Sequence, residues 1–597
     1  MDTDSFRSAN PKLDKLRNNK LSGFNYRERR HDDWLENYTL YRDKVTVNRL
    51  TQRQSVDIPL MKLTIKSLLK DVDDMPVLYF ENLDNDKEKE VFLNEYWGWT
   101  VEKNKMEIKD IVDKKQAMLY GRTFDQLQII DGYVCMSIED PEDILVDRYM
   151  DPSDIDSSRF LIHTHIFRPL SKLEQNPDYD KDAIANIKRF YASEQGLIKA
   201  SDNARSLVEK NQKMGDLGLS DVDSPILGET IVELSLHFYY DTAKGSEDEE
   251  LFLAVECDDM EILMDKPLQS VIGPTKDNFW QSHLPYNTWA EDVERQDFWS
   301  DGVGDSLRTL NKVLNSWYSQ EVENRTLRNF GMHYYDATKE GFTPQTFNPN
   351  PWGWYGVPGN PNEVVQKVDI PSLENNLDAM QFLIGMGEKV SGATPTQQGD
   401  VNERSVTLGE VELALGEAKE RVKGMSKFYT HAWKERGAKF LKLVEAAGDK
   451  LDAVKVYKKG RNTDNIYGRE IGPVDWESES GYQVKVWSQD EKNAKDTKAI
   501  EKINAIASVM PDNPKLIEIR NRKLLEFGDL TPDEINQVLE YEKMKMDALM
   551  NPPIDPMTGQ PLPRDPNAQG AMMPPGAPQP PQQPMQPMGP QPGPAIS

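Results

Sequence analysis

The chain has 597 residues, only 38% of them hydrophobic, and a formal net charge of −28. That length allows several domains and a sizeable core, but so polar a composition requires long exposed elements, unstructured segments or burial against copies of itself. The charge balance excludes a protein that grips nucleic acid with a basic face, because tight phosphate binding needs clustered Lys and Arg to release counterions.

Helices are expected from about residue 27 to 75: Trp34, Leu35, Tyr38 and Tyr41 fall near helical spacing, and Ile58, Leu60, Met61, Leu63, Ile65, Leu68 and Leu69 crowd the next segment. A short strand, PVLYFE, follows, then one helix from about Asp86 to Leu119, stopped at Gly121. Residues 122–147 alternate apolar and polar, with Asp131-Gly132 as a hairpin turn. FLIHTHIFRPL reads as a strand and the next 27 or so residues as helices. Residues 198–228 are polar with Gly and Ser, the pattern of a mobile loop. TIVELSLHFYYD and ELFLAVECDD form a hairpin with an acidic, solvated tip, so residues 1–299 predict an α+β body.

A helix over 300–331 starts at Ser300 or Asp301 as N-cap and aligns Val303, Leu307, Leu310, Val313, Leu314 and Trp317 on one face. Residues 332–370 hold five prolines that exclude long helix and allow only short strands. Trp352, Trp354 and Tyr355 lie among them and suit either a contact surface or a small local core. Pro371 opens a second helix, over 371–392. A polar loop, 393–405, carries Gln397, Gln398, Asp400, Asn402, Glu403 and Arg404, and a long charged helix runs from about Val406. Strands follow in DAVKVYKKG and GYQVKVWSQ, helices over 491–550, and a Pro/Gln/Met/Gly-rich tail over 551–597 that has no means of packing a core.

Chemistry-bearing motifs are scarce. There is no GxxxxGK[ST], GxGxxG, GxSxG or HExxH; Gly302-Val303-Gly304-Asp305 imitates a phosphate loop but lacks the third glycine and follows no strand. His163 and His165 share a strand face and are metal-ligand candidates, but no Cys is near and no third ligand is marked, which favours exposed or paired strand histidines and no metal. The run from Asp84 to Glu90 begins like a calcium loop without its glycine or final glutamate, so solvated surface is the better reading. Cys135 and Cys257 are too few for a disulfide framework, which predicts a reducing compartment. The charged N-terminal stretch lacks an apolar signal region, and no segment approaches the roughly 20 apolar residues of a membrane span, so a soluble cytoplasmic product with no membrane partner is expected.

The order of the central segments resembles that of the portal proteins of tailed bacteriophages, the head-to-tail connectors, in a podovirus-like form. The strongest single stretch is LPYNTWAEDVERQDFWSDGVGDSLRTLNKVLNS. GVGDSLRTLNKVLNS is similar to the first stem helix, the Pro/Trp segment to the clip, PSLENNLDAMQFLIGMGEKVSG to the returning stem helix, and ATPTQQGDVNERS to the tunnel loop. Upstream, MLYGRTFDQLQIIDG and EDPEDILVD resemble the wing, and the resemblance covers residues 25–545.

It implies an α+β, mainly helical portal fold: wing 1–299, stem helix 300–331, clip 332–370, returning stem helix 371–392, tunnel loop 393–405, long helix and wing strands 406–490, helical crown 491–550 and disordered tail 551–597. It further implies a dodecameric ring at a capsid vertex, non-enzymatic and without cofactors, through which double-stranded DNA is packaged and ejected. Gln397, Gln398, Asp400, Asn402, Glu403 and Arg404 would line the bore. Trp352, Trp354 and Tyr355 would dock the terminase large subunit and head–tail adaptor or tail proteins. Major capsid and scaffold proteins are further partners, and the location is the virion, after assembly in the host cytoplasm. The competing readings are another head–tail adaptor or internal virion protein, or an enzyme with an unrecognised carboxylate site.

Overall fold

The computed structural model describes residues 10–42, 56–217 except 73 and 153, 229–242, 249–272, 286–290, 297–330, 376–391, 408–459 and 466–487, with short pieces between 333 and 373 and a few residues from 501 onward. The chain divides into two compact units, Met1–Lys459 with Asn465–Lys495, and Gly460–Asp464 with Asp496–Ser597. In the second, residues 501, 502, 521, 538 and 541 are helical; the rest of the expected crown, and the tail, lie outside the described residues. The first unit holds all the other described residues. Its fold is α+β, with helix predominating.

Helix α1 runs from Pro11 to Tyr41, starting well before the expected position. The Asn10 side chain accepts from the Lys12 N–H at 3.0 Å, and Pro11 follows at a favoured place. Its buried stripe begins with Leu13 and Leu16, diluted by charged neighbours. Helix α2, Leu60–Asp71, and strand β1, Val77–Asn82, follow.

The single helix expected over 86–119 is two, α3 (Lys87–Asn104) and α4 (Met106–Tyr120). Lys105 between them is left-handed, with φ of 52°. The break is tied to the neighbouring strand by Asn104, whose buried amide donates to the Val134 carbonyl and accepts from the Met136 N–H, both at 2.9 Å. Gly121 then ends α4 as expected, also left-handed.

Strands β2 (Arg122–Ile130) and β3 (Tyr133–Glu139) form the expected hairpin, with Asp131 and Gly132 both at positive φ. Strands β4 (Ile144–Val146) and β5 (Phe160–Pro169) precede helices α5 (Leu170–Gln175), α6 (Lys181–Tyr191) and α7 (Glu194–Leu217). Helix α7 replaces much of the loop expected over 198–228; residues 218–228 lie outside the described residues. It buries Leu207, Met214 and Leu217, and its Lys210 and Lys213 pair with Asp143 and Asp140 at 2.7 and 2.8 Å. Strands β6 (Ile231–Thr242) and β7 (Glu249–Cys257) pair as expected, and an unanticipated β8 (Glu261–Pro267) completes an antiparallel sheet in the order β4-β5-β6-β7-β8. Helix α8 (Leu268–Ile272) follows, and strand β9 (Tyr286–Ala290) joins the free side of β2.

Helix α9 spans Val303–Phe330. Strands β10 (His333–Tyr335) and β11 (Val365–Lys367) pair antiparallel near the two ends of the Pro/Trp segment, short as proline content requires. Helix α10 runs Asn376–Ser391; Pro371 does not open it, and residues 371–373 are non-helical. Helix α11, Leu408–Ala447, is the longest element among the described residues. Strands β12 (Val454–Lys459) and β13 (Ile466–Ile471) pair, the latter unanticipated, helix α12 (Pro473–Trp476) follows, and β14 (Tyr482–Trp487) closes antiparallel on β1. The main core joins α1, α3, α4 and the second half of α11 through Trp34, Trp97, Tyr120, Trp299, Trp433 and Phe440.

Candidate functional site

The helical hairpin of α9 and α10 rests on a glycine junction. A Cβ on Gly302 would lie 2.6 Å from the Gly121 nitrogen, one on Gly304 2.6 Å from the Leu119 carbonyl, and one on Gly121 2.1 Å from the Ser300 carbonyl. The start of α9 and the end of α4 therefore touch backbone to backbone, as only glycine permits. This is the physical use of the Gly-Val-Gly-Asp run that imitates a phosphate loop. The helix begins at Val303, so Gly302 rather than Ser300 or Asp301 stands immediately before it; the Ser300 hydroxyl donates to the Gly121 carbonyl, and Asp301 accepts from Arg30 at 2.7 Å. Asp305 reaches back to accept from the Gly302 N–H at 2.9 Å, and its carboxylate also takes Arg30 and Asn37 of α1.

Beyond the junction the hairpin is antiparallel. A methyl on Gly387 would lie 3.6 Å from Leu307; Leu314 and Met380 share a buried cluster; Asn324 donates to the Pro371 carbonyl at 3.0 Å. Partners on α10 thus descend as those on α9 ascend. Leu60 of α2 enters the same cluster, with Ile58, Trp317, Leu383 and Ile384 around it. Of the apolar face expected on α9, Leu307 and Leu314 are fully buried, whereas Leu310 and Val313 are half-buried. Beside it runs an unforeseen polar ladder. Asn311 accepts from the Met61 N–H at 3.2 Å, Asn315 from Ile58 at 2.8 Å and Ser319 from Val56 at 3.0 Å. The Met61 N–H is one of those that a helix start otherwise leaves unpaired, and the other two lie in the non-helical residues leading into α2.

The long helix α11 is rooted in the body by Arg436. Its guanidinium donates to Asp125 on β2 and, at 2.7 Å, to Asp113 on α4. Beside it Trp433 donates to Asp110 at 2.8 Å, and Lys114 pairs with Asp110 at 2.6 Å. Burial opposes the Arg436 charge, but Asp125 and Asp113 overcome it and push the pKa above the usual arginine value. Burial pushes Asp113 up to about 7, against the pull of Arg436. Each of these carboxylates is engaged, by Arg436, Lys114, Trp433 or Thr123.

The histidines of β5 are each paired with a carboxylate. His163 is buried against Glu139 at 3.1 Å, and His165 meets Asp143 at 3.0 Å. They do not share a face as expected, because a register shift between His163 and Ile166 and a positive φ at His165 break the alternation. Among the described residues no group of three or more His, Cys, Asp or Glu is placed to hold a metal ion. The calcium-like run is structural too. Asp84 accepts from the Ser478 hydroxyl and from the N–H groups of Glu479 and Ser480, while Asp86 caps α3.

The expected channel residues Gln397, Gln398, Asp400, Asn402, Glu403 and Arg404 lie outside the described residues, as do Trp352, Trp354 and Tyr355. What is described is their framing: β10 and β11 near the ends of the Pro/Trp segment, α10 and α11 on either side of the polar one. No protein-family model and no curated protein matches the chain. Among the described residues, no helix is long and apolar enough to cross a membrane.

Proposed function

We propose that this chain is the subunit of a phage portal, a closed ring at one vertex of the capsid through which double-stranded DNA enters and leaves. The observation that supports this best is the antiparallel α9–α10 hairpin. It is fastened at its base to an α+β body by the Gly121–Gly302–Gly304 junction and followed by the long helix α11. A Pro/Trp-rich segment closed by a strand pair separates the two hairpin helices, and a polar segment, 393–405, joins the hairpin to α11. Stem, clip, tunnel loop and wing helix come in that order in portals.

In this reading the chain is structural rather than catalytic. A dozen wedge-shaped copies bury the faces that a single polar chain leaves open. The bore is lined by a loop with two acids, Asp400 and Glu403, against one Arg404, so DNA meets transient polar contacts instead of a grip. The terminase large subunit and head–tail adaptors would dock at Trp352, Trp354 and Tyr355. Capsid and scaffold proteins would surround the ring in the virion.

Deleting residues 395–402 tests the reading. The shortened chain should still assemble, while packaging or retention of DNA in the head changes; unchanged packaging and retention would place the loop away from the channel.

A further inference from the structure

Helix α11 and strand β14 enclose an open cavity of about 530 Å³. Lys427, His431 and Lys434 line it from one face of the helix, at i, i+4 and i+7, and the four consecutive residues Val484–Trp487 line it from the strand. Successive strand side chains point to opposite faces. Val484 turns to α11, where a Cβ on Gly437 would lie 2.8 Å from it, whereas Trp487 packs its ring against Tyr79 with centroids 6.1 Å apart. Residues of both faces therefore border one groove, so the groove follows the edge of β14 rather than either face. Among the described residues β14 pairs with β1 alone. In such an antiparallel pair, alternate residues of β14 turn their N–H and C=O groups away from β1, toward that edge.

The charge along the groove runs against the rest of the chain. His431 pairs with Glu435 at 3.3 Å and Lys485 with Glu81, but Lys427 and Lys434 are exposed and form no ion pair among the described residues. They sit two helical turns apart, about 10.5 Å, the length of about three residues of extended chain. The molecule carries −28 overall.

We propose that this groove docks an extended acidic peptide segment of a partner protein, which adds as a strand to the edge of β14 and sets its carboxylates against Lys427 and Lys434. Backbone pairing supplies the affinity and the two lysines the preference for acid. A nucleic-acid strand would meet the same lysines but has no N–H and C=O repeat to pair with the strand edge. None of the residues lining the groove belongs to α9, to α10 or to the segments 332–370 and 393–405, so the proposal stands or falls independently of the portal reading.

Fluorescence anisotropy on the full chain tests it, using a labelled decapeptide of alternating Glu and Val. Saturable binding is expected at low salt, weakened about tenfold by K427E/K434E, weakened likewise when Gln replaces Glu in the peptide, and unchanged by K181E on the far helix α6. A peptide with proline at alternate positions, which removes the N–H donors, should lose binding to the unaltered protein, so the test does not depend on the variants folding. Three results would overturn the proposal: no saturable binding of the acidic peptide, equal binding of the proline peptide, or tighter binding of a labelled single-stranded 12-nucleotide DNA that the double variant abolishes.

Discussion

Arg436 on α11 and Asp125 on β2 meet side-on, Nε to Oδ2 at 3.0 Å and Nη2 to Oδ1 at 3.1 Å, with neither side chain reaching solvent. This pair, with Asp113, fixes the rotation of the longest helix among the described residues against the sheet. Breaking a buried pair from one side leaves the other charge uncompensated. Arg436→Ala is therefore expected to destabilise the protein by about 3–5 kcal/mol, read as a lowered denaturant midpoint. Adding Asp113→Asn and Asp125→Asn should restore part of that loss. An Arg436→Ala midpoint equal to wild type would remove the pair from the account of how α11 is held.

The glycine junction makes a prediction with an internal control. A methyl at Gly304 would meet the Leu119 carbonyl oxygen at 2.6 Å, and backbone there has no room to retreat. Gly304→Ala should cost about 1–3 kcal/mol or more by overpacking. Gly98, in the middle of α3, has nothing within 4 Å of its Cβ position, so Gly98→Ala should stabilise by about 0.5–1 kcal/mol. Thermal melts of the two variants should move in opposite directions; movement in the same direction would contradict the close approach of α4 and α9.

Acid sensitivity is expected from the carboxylates facing the β5 histidines. Burial would raise Glu139, but His163 beside it, with Lys210 and Ser137, holds its pKa down to about 2. A carboxylate depressed in the folded state contributes stability above its unfolded pKa and loses it as pH falls through the folded one. That contribution, at most about 3 kcal/mol, is present at pH 5 and above and gone near pH 2. Glu139→Gln should thus lower stability at pH 7 and flatten its decline between pH 5 and pH 2. A decline as steep as in wild type would assign the acid sensitivity to other groups.

Much of this architecture was legible locally. Asp131-Gly132 announced its hairpin because two positive-φ positions in a row admit few residues, and the alternation in 231–242 and 249–257 specified paired strands. Legibility failed where a signal was diluted or distant. The stripe of α7, Leu207, Met214 and Leu217, is thin among charged residues, and its docking depends on Asp140 and Asp143 some 70 positions away. Lys105 looks like any helical lysine; only Asn104 gripping β3 explains the break. The pairing of β1 with β14 joins residues about 400 apart and carries no local mark. In the hairpin, the apolar face of α9 was visible, but not that Asn311, Asn315 and Ser319 would serve the backbone entering α2. The expected channel and docking residues lie in segments without apolar periodicity, so sequence pattern fixes their chemistry and not their geometry.

Replacing Trp352, Trp354 and Tyr355 together with Ala separates the two readings of the Pro/Trp segment. Aromatic anchors on a constrained loop commonly dominate a docking interface. The triple variant should assemble as wild type by electron microscopy and fail to package DNA in a complementation assay. Loss of assembly would make the three rings a local core.

The central claim is that copies of this chain close into a ring around a channel. Native mass spectrometry of the purified full-length protein tests it most directly. One dominant species of about a dozen chains is expected. A protein that stays monomeric or dimeric across the micromolar range and physiological salt would contradict it.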